Sequence, residues 1–420
     1  MTTASSFRAL RAAPTARGLM IASLVDSVGT GMYVAGGVLY FTRNLGLPAT
    51  QVGTGISLGA LAAALCLVGV GRIADRIGVG RALVALQIWS ALAFLCFLVV
   101  DSFVTFALVA CLVAVPERGW HPLASTVVGA VVEKDQRTDA LAVMRMLRNT
   151  GFALGGLLAM LTLSIGSDGA LAMVMMVNSL SFGGSAVLLT ALGVAGPKIG
   201  EAVVRQRTAA EGKVDRVPWR VRLPYVKVAA LDAVCCLHMS LLSIGIPLSI
   251  TLRTDLPTWV VGGTYVVNTV LAITFQRRVS SALKGSVKSA TVVMGVTLTL
   301  LAVTCAAIAL LPELSVAWDL LCLAVGVLIL TAAELTQAAA SWTLLLGLAP
   351  RDASAEIYAT FELGFSAQLI FGPLLISMLV ERGGGSWLLL ACGLLLLIPF
   401  VAPAIRSAER RRLANLEVLT

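Results

Sequence analysis

Long apolar runs recur from one end of this chain to the other, and they constrain its fold more than any other feature. Between Gly18 and Phe41 the only charged side chain is Asp26, and runs of this kind begin near residues 18, 52, 82, 103, 146, 170, 225, 258, 289, 316, 355 and 385. A helix needs about 20 predominantly apolar residues to cross a bilayer, so each run is long enough to span one. Inside lipid every backbone N–H and C=O must be bonded within the protein, which leaves only helices and closed barrels. The runs are apolar throughout where a barrel strand would alternate, which excludes the barrel. Composition agrees: 58% of the 420 residues are hydrophobic and 13% are charged, against roughly 25% charged in a soluble domain. The expected fold class is all-α integral membrane, with twelve transmembrane helices.

The net charge of +9 does not read as a nucleic-acid patch, because the basic residues collect between the runs instead of along one face. With the N-terminus inside, the inner segments hold 27 of the 31 Lys and Arg residues, and the outer loops hold only Arg43, Arg253 and Arg382. By the positive-inside rule this predicts a multi-pass protein of the inner (plasma) membrane with both termini cytoplasmic. The Arg-rich stretch before Gly18 resembles a transit peptide, but the run behind it is too long and contains Asp26, so a cytoplasmic tail is expected. Trp259, Trp318 and Trp387 open spans from the outer side and read as interfacial anchors. All eight cysteines lie inside apolar runs without C-x-x-C spacing, so they read as small packing residues, with no disulfide, metal or cofactor expected. Arg outnumbers Lys 25 to 6, which suits a GC-rich bacterial genome.

The longest polar stretch, residues 196–224, lies near the midpoint and divides six spans from six. The halves echo one another: Leu47-Pro48 with Val52-Gly53 returns as Leu256-Pro257 with Val261-Gly262, Gly151-Phe152 as Gly364-Phe365, and Asp26 as Asp232. These matches argue for two structural repeats, an organisation associated with secondary transporters. The expected division is a six-helix half over 1–195, a cytoplasmic linker over 196–224, and a second six-helix half with a short cytoplasmic tail over 225–420.

Between the second and third spans stands Gly71-Arg72-Ile73-Ala74-Asp75-Arg76-Ile77-Gly78-Val79-Gly80-Arg81-Ala82-Leu83. It resembles the loop 2-3 signature of the major facilitator superfamily, G-x-L-A-D-R-x-G-R-K-x-x-L. Gly71, Ala74, Asp75, Arg76, Gly78 and Leu83 match, while Val79 and Gly80 replace a basic pair for which Arg81 only partly substitutes. A worn copy in the second half keeps Gly285 and Lys288, with no acid answering Asp75. The resemblance covers the whole chain. It implies two pseudo-symmetric six-helix halves, transport by alternating access, and a gating part for Gly71, Asp75, Arg76, Gly78 and Arg81, with Glu362 of span 11 extending the contact to Arg72 or Arg76.

In that family spans 1, 4, 7 and 10 line the central cavity, and here they carry costly side chains: Asp26; Glu117, Arg118 and His121; Asp232 and His238; Glu334 and Gln337. A charge in lipid costs roughly 2.5–3.5 kcal/mol even on a lenient scale, so these groups should face the bundle interior or a water-filled path. Two readings stand side by side. In one, Asp26 facing Arg118 is a protonation switch, since burial favours a proton on a carboxylate and a nearby Arg favours its charge; Asp232 and Glu334 then serve the same task or hold a cationic substrate. In the other, these residues form static buried pairs and helix–helix hydrogen bonds. His121 also fits a polar helix end, and His238 a packing hydrogen bond.

Drug and metabolite antiporters of the superfamily carry a glycine-rich stretch ending G-P-x-x-G-G in span 5. Here Gly151, Gly155 and Gly156 supply helix-packing glycines without the proline, and a Gly372-Pro373 pair stands in span 11. The expected function is proton-coupled export of a small organic compound, a drug or secondary metabolite; a proton-coupled metabolite importer of the same fold is the alternative. A polytopic membrane enzyme is a remote third, because two histidines build no His-box metal centre and no nucleophile–base–orienter set is visible. No G-x-x-x-x-G-K-[ST] loop points to nucleotide-driven transport. The expected partners are a small-molecule substrate, protons and the lipid bilayer, with no nucleic acid, and the expected state is a monomer.

Overall fold

The computed structural model describes residues 14–133, 136–196, 199–203, 219–283, 285–311, 315–348 and 354–417. Most of the stretch 196–224 and most of the basic N-terminal tail lie outside the described residues. Twelve helices are long and apolar enough to cross a membrane, and no strand occurs among the described residues. In chain order the helices are α1 (Pro14–Leu39, closing in a π-turn Tyr40–Asn44), α2 (Ala49–Ile77), α3 (Val79–Cys96), α4 (Phe103–Val131), α5 (Arg137–Ser164) and α6 (Asp168–Ala191). After these come α7 (Trp219–Cys235, continuing through His238–Ser240 and a π-turn Leu241–Gly245 to Ile246–Arg253), α8 (Trp259–Ala282), α9 (Val287–Leu310), α10 (Val316–Leu348), α11 (Ser354–Arg382) and α12 (Gly384–Glu417).

Local chemistry sets the helix ends. Ser102 caps α4 in a reciprocal box with Thr105, and Ser167 and Ser286 cap α6 and α9 by accepting from backbone N–H groups, relieving donors that the first turn leaves unpaired. Gly78 alone joins α2 to α3, at φ +92°, a backbone region that side chains with a Cβ rarely adopt. Within the spans, hydroxyls such as Thr30, Thr54, Thr304 and Thr343 donate to the carbonyl four residues back, so they cross the apolar region with their hydrogen bonds satisfied.

The chain divides into two compact units, one of residues 1–212 with 258–266, the other of residues 213–257 with 267–420. In the first, α1 packs against α5 and α6, α2 against α4, and α3 against α4 and α6. In the second, α7 packs against α11 and α12, and α9 against α10 and α12. Most of these pairings repeat with an offset of six helices.

The closest pairing in the first unit is α1 with α5. A Cβ on Gly151 would fall 2.6 Å from Ser27 Cβ, one on Gly31 2.7 Å from the Phe152 backbone, and one on Gly155 against the Val28 carbonyl. Backbones this close are the mark of small residues at helix crossings in lipid. In the second unit Gly364 of α11 seats on the Ala229 carbonyl of α7 in the same manner.

Two expectations change. The fifth span starts near Asp139, seven residues before the expected 146, so Arg145 and Arg148 lie within the helix. Trp259 and Trp318 are exposed, but Trp387 is fully buried. Its ring fills the space beside Gly245 in the π-turn of α7, so it is a core side chain and no interfacial anchor.

Candidate functional site

In the first unit the polar centre begins with Asp26, buried on α1. Gln87 of α3 donates from Nε2 to Asp26 Oδ2 at 2.6 Å and to Ser185 Oγ of α6 at 2.7 Å, and Ser27 donates to Asp26 Oδ1 at 3.3 Å. The carboxylate is therefore held by amide and hydroxyl donors. The cation whose field reaches it is Arg148 of α5, not the expected Arg118, while the acid that acts on it is Glu117. This displaces the Asp26–Arg118 pair: Asp26 faces the packing of α1 with α3 and α6, while Arg118 sits on α4 and acts electrostatically on His121.

Glu117 lies half-buried on α4 with Oε1 buried and unpartnered, and its charge reaches Asp26 and Tyr33. His121, one turn further along α4, accepts from Arg148 Nη1 at 3.0 Å. The sequence pattern did not single out Arg148, because it stands with Arg145 at the inner end of the expected span and counts there as one of the basic residues that set the topology. It also did not single out Gln87 and Ser185, neutral residues that stand out only once their partners are known.

The second unit has a different arrangement. Gln337 of α10 donates to Asp232 Oδ1 at 3.0 Å and to Cys236 Sγ at 3.2 Å, and Ser341 donates to Asp232 Oδ2 at 2.9 Å. Asn268 of α8, buried, bridges Glu334 Oε2 at 2.8 Å and Thr331 Oγ1 at 3.1 Å. His238 is buried where α7 breaks and faces Gln337, with the charge of Glu334 acting on it. Asp26 and Asp232 are counterparts in sequence, yet one is bonded from α3 and the other from α10. The repeat therefore extends to the helices but not to the surroundings of the two acids.

At the α2–α3 corner, Asp75, Arg76 and Arg81 are exposed around Gly78. The departure from the signature has a packing reason. Val79 is buried in an apolar cluster with Ala74, Leu83, Leu123 and Val194, and a Cβ on Gly80 would run into the Val194 carbonyl just past α6. Basic side chains at 79 and 80 would fill that contact. Gly71 has no neighbour near the place of a Cβ, so close approach accounts for Gly80 and not for Gly71. Glu362 is exposed on α11. Of the remaining expected packing glycines, Gly156 lies 3.3 Å (as a Cβ) from Tyr265 Cβ and Gly372 2.5 Å from Ser240 Oγ, beside the break in α7. Among the described residues no group of three or more His, Cys, Asp or Glu is placed to hold a metal ion.

Comparison with known proteins places this arrangement. A model described as Major Facilitator Superfamily matches residues 19–359. A crystal structure of the nucleoside transporter NupG aligns at TM-score 0.70 and 13% identity over 93% of this chain and 98% of that one. A peptide transporter POT in complex with sulfate aligns at 0.74 and 15% over 95% and 96%, and a POT family transporter in complex with 5-aminolevulinic acid at 0.72 and 12% over 94% and 97%. At these identities the likeness is one of fold. No curated protein matches the chain by sequence.

Proposed function

As the chain belongs to the Major Facilitator Superfamily, a family of transporters, we propose that it carries a small organic compound across the plasma membrane by alternating access, coupled to protons and in the outward direction. The observation that carries proton coupling is the holding of Asp26 and Asp232: both are buried acids bonded to amides and hydroxyls. Such an acid exchanges its charge for a proton without an ion pair having to break first. The glycines of α5 match the antiporter stretch only in part, since its proline is missing, so the outward direction rests on the test below.

In this reading Asp26 is the principal proton carrier, with Glu117 and Arg148 beside it, and Asp232 with Gln337, Glu334 with Asn268, and His238 form the second-half set. Asp75, with the exposed arginines of its corner, takes part in gating the cytoplasmic side.

Expression in a host stripped of its efflux pumps, against a broad compound panel, tests the direction. Raised tolerance with lowered intracellular compound supports export; raised accumulation of a compound supports the inward alternative and overturns the outward one. Everted vesicles test the coupling. Asp26→Asn should abolish gradient-driven accumulation while substrate still binds, and binding should lose its pH dependence. Normal pumping by that variant would move the coupling site to Asp232 or Glu334.

A further inference from the structure

We propose that the guanidinium of Arg148 is a recognition point for an anionic group, a carboxylate or a phosphate monoester, on the transported compound. The proposal rests on the transport reading and deepens it by naming a substrate class.

Arg148 is half-buried on α5, one turn from Arg145. Its Nη1 donates to His121 Nε2 at 3.0 Å. An arginine remains protonated, so the imidazole nitrogen must be the acceptor; His121 contributes a lone pair and no negative charge. Arg148 Nε is buried without a hydrogen-bond partner. Arg118 and Arg145 act on the same His121 as Arg148 does. The two acids of the cluster do not bond the guanidinium: Asp26 accepts from Gln87 and Ser27, and Glu117 Oε1 is itself buried and unpartnered.

A guanidinium presents Nε–H and an adjacent Nη–H as a parallel fork, and two oxygens of one carboxylate or phosphate match it. His121 holds the Nη1 edge and so orients the plane, leaving the Nε edge for a ligand. A buried donor of a charged group is costly to leave unbonded, and an anion answers both the hydrogen-bond demand of Arg148 Nε and the charge of its guanidinium. A cationic group is repelled, and an uncharged oxygen accepts the hydrogen bond without balancing the charge.

The test uses the full-length protein in lipid nanodiscs and four probes built on one ring: benzoate, phenyl phosphate, benzylammonium and benzyl alcohol, titrated at constant ionic strength with thermal unfolding as the readout. Benzoate or phenyl phosphate should raise the unfolding midpoint in a saturable way, and the other two probes should not. Arg148→Gln should weaken the anion at least tenfold. Arg148→Lys, which keeps the charge and loses the fork, should weaken it several-fold, and it carries the comparison if the Gln variant does not fold. The proposal is overturned if neither anion stabilises the wild type, if benzylammonium is preferred, or if the Lys or Gln variant binds the anions as the wild type does. Binding is read without transport, so these outcomes bear on Arg148 alone, whereas anion binding by a protein that couples no proton movement would count against the coupling reading alone.

Discussion

At the scale of single residues, the Asp26 carboxylate depends on one amide. Gln87 Nε2 serves both Asp26 and Ser185, and a hydrogen bond to an ionised group contributes about 1.5–3 kcal/mol. Gln87→Leu keeps the bulk and removes the donor, so it should destabilise the protein by about that amount, measured as a lowered unfolding midpoint in detergent. In the Asp26→Asn background the same change should cost much less, because the charge that made the bond strong is gone. A double-mutant cycle with additive effects would show that the bond contributes nothing.

At the scale of helices, the α1–α5 crossing predicts a sharp contrast. Gly155→Leu places a side chain in the Val28 carbonyl, so the helices must separate and the yield of folded protein should collapse. Gly69→Ala, where no atom lies within 4 Å of the new Cβ, should leave yield unchanged or raise the midpoint slightly, since alanine is favoured over glycine in a helix by up to about 1 kcal/mol. Gly80→Lys restores a basic residue at its place in the loop signature yet meets the Val194 carbonyl, and it should lower the midpoint; an unchanged midpoint would show that this corner is loose. The starts of eleven of the twelve spans were legible to within about three residues, because uninterrupted apolar length is what a span physically requires. The start of α5 was not, because Arg145 interrupts the apolar run while the helix reaches back to Asp139. The acids at 26, 117, 232 and 334 could be singled out by their cost in lipid. Of their partners Gln337 was singled out with them, but Gln87, Asn268 and Ser341 could not be: they are inexpensive enough to sit anywhere on an apolar helix, and only the packing of α3, α8 and α10 gives them a role.

At the scale of the whole molecule, the distribution of basic residues predicts orientation. A single cysteine placed at Thr208 or Asn415 in a cysteine-free background should be protected from an impermeant reagent in intact cells and react after permeabilisation. Labelling from outside would reverse the topology.

The apolar cluster at the α2–α3 corner joins Ala16 and Leu19 to Ile199 and Val203, residues at the two ends of the first half of the chain. That contact also sets a schedule for synthesis. α1 enters the membrane first, but Gln87 and Ser185, on which the anchoring of Asp26 depends, follow only with α3 and α6. At about 5–20 residues per second the acid waits on the order of ten seconds or longer in an incomplete bundle. The first half can close around it only once residue 203 has left the ribosome, so a chain truncated before α6 should expose Asp26 to quality-control proteases that the finished half evades.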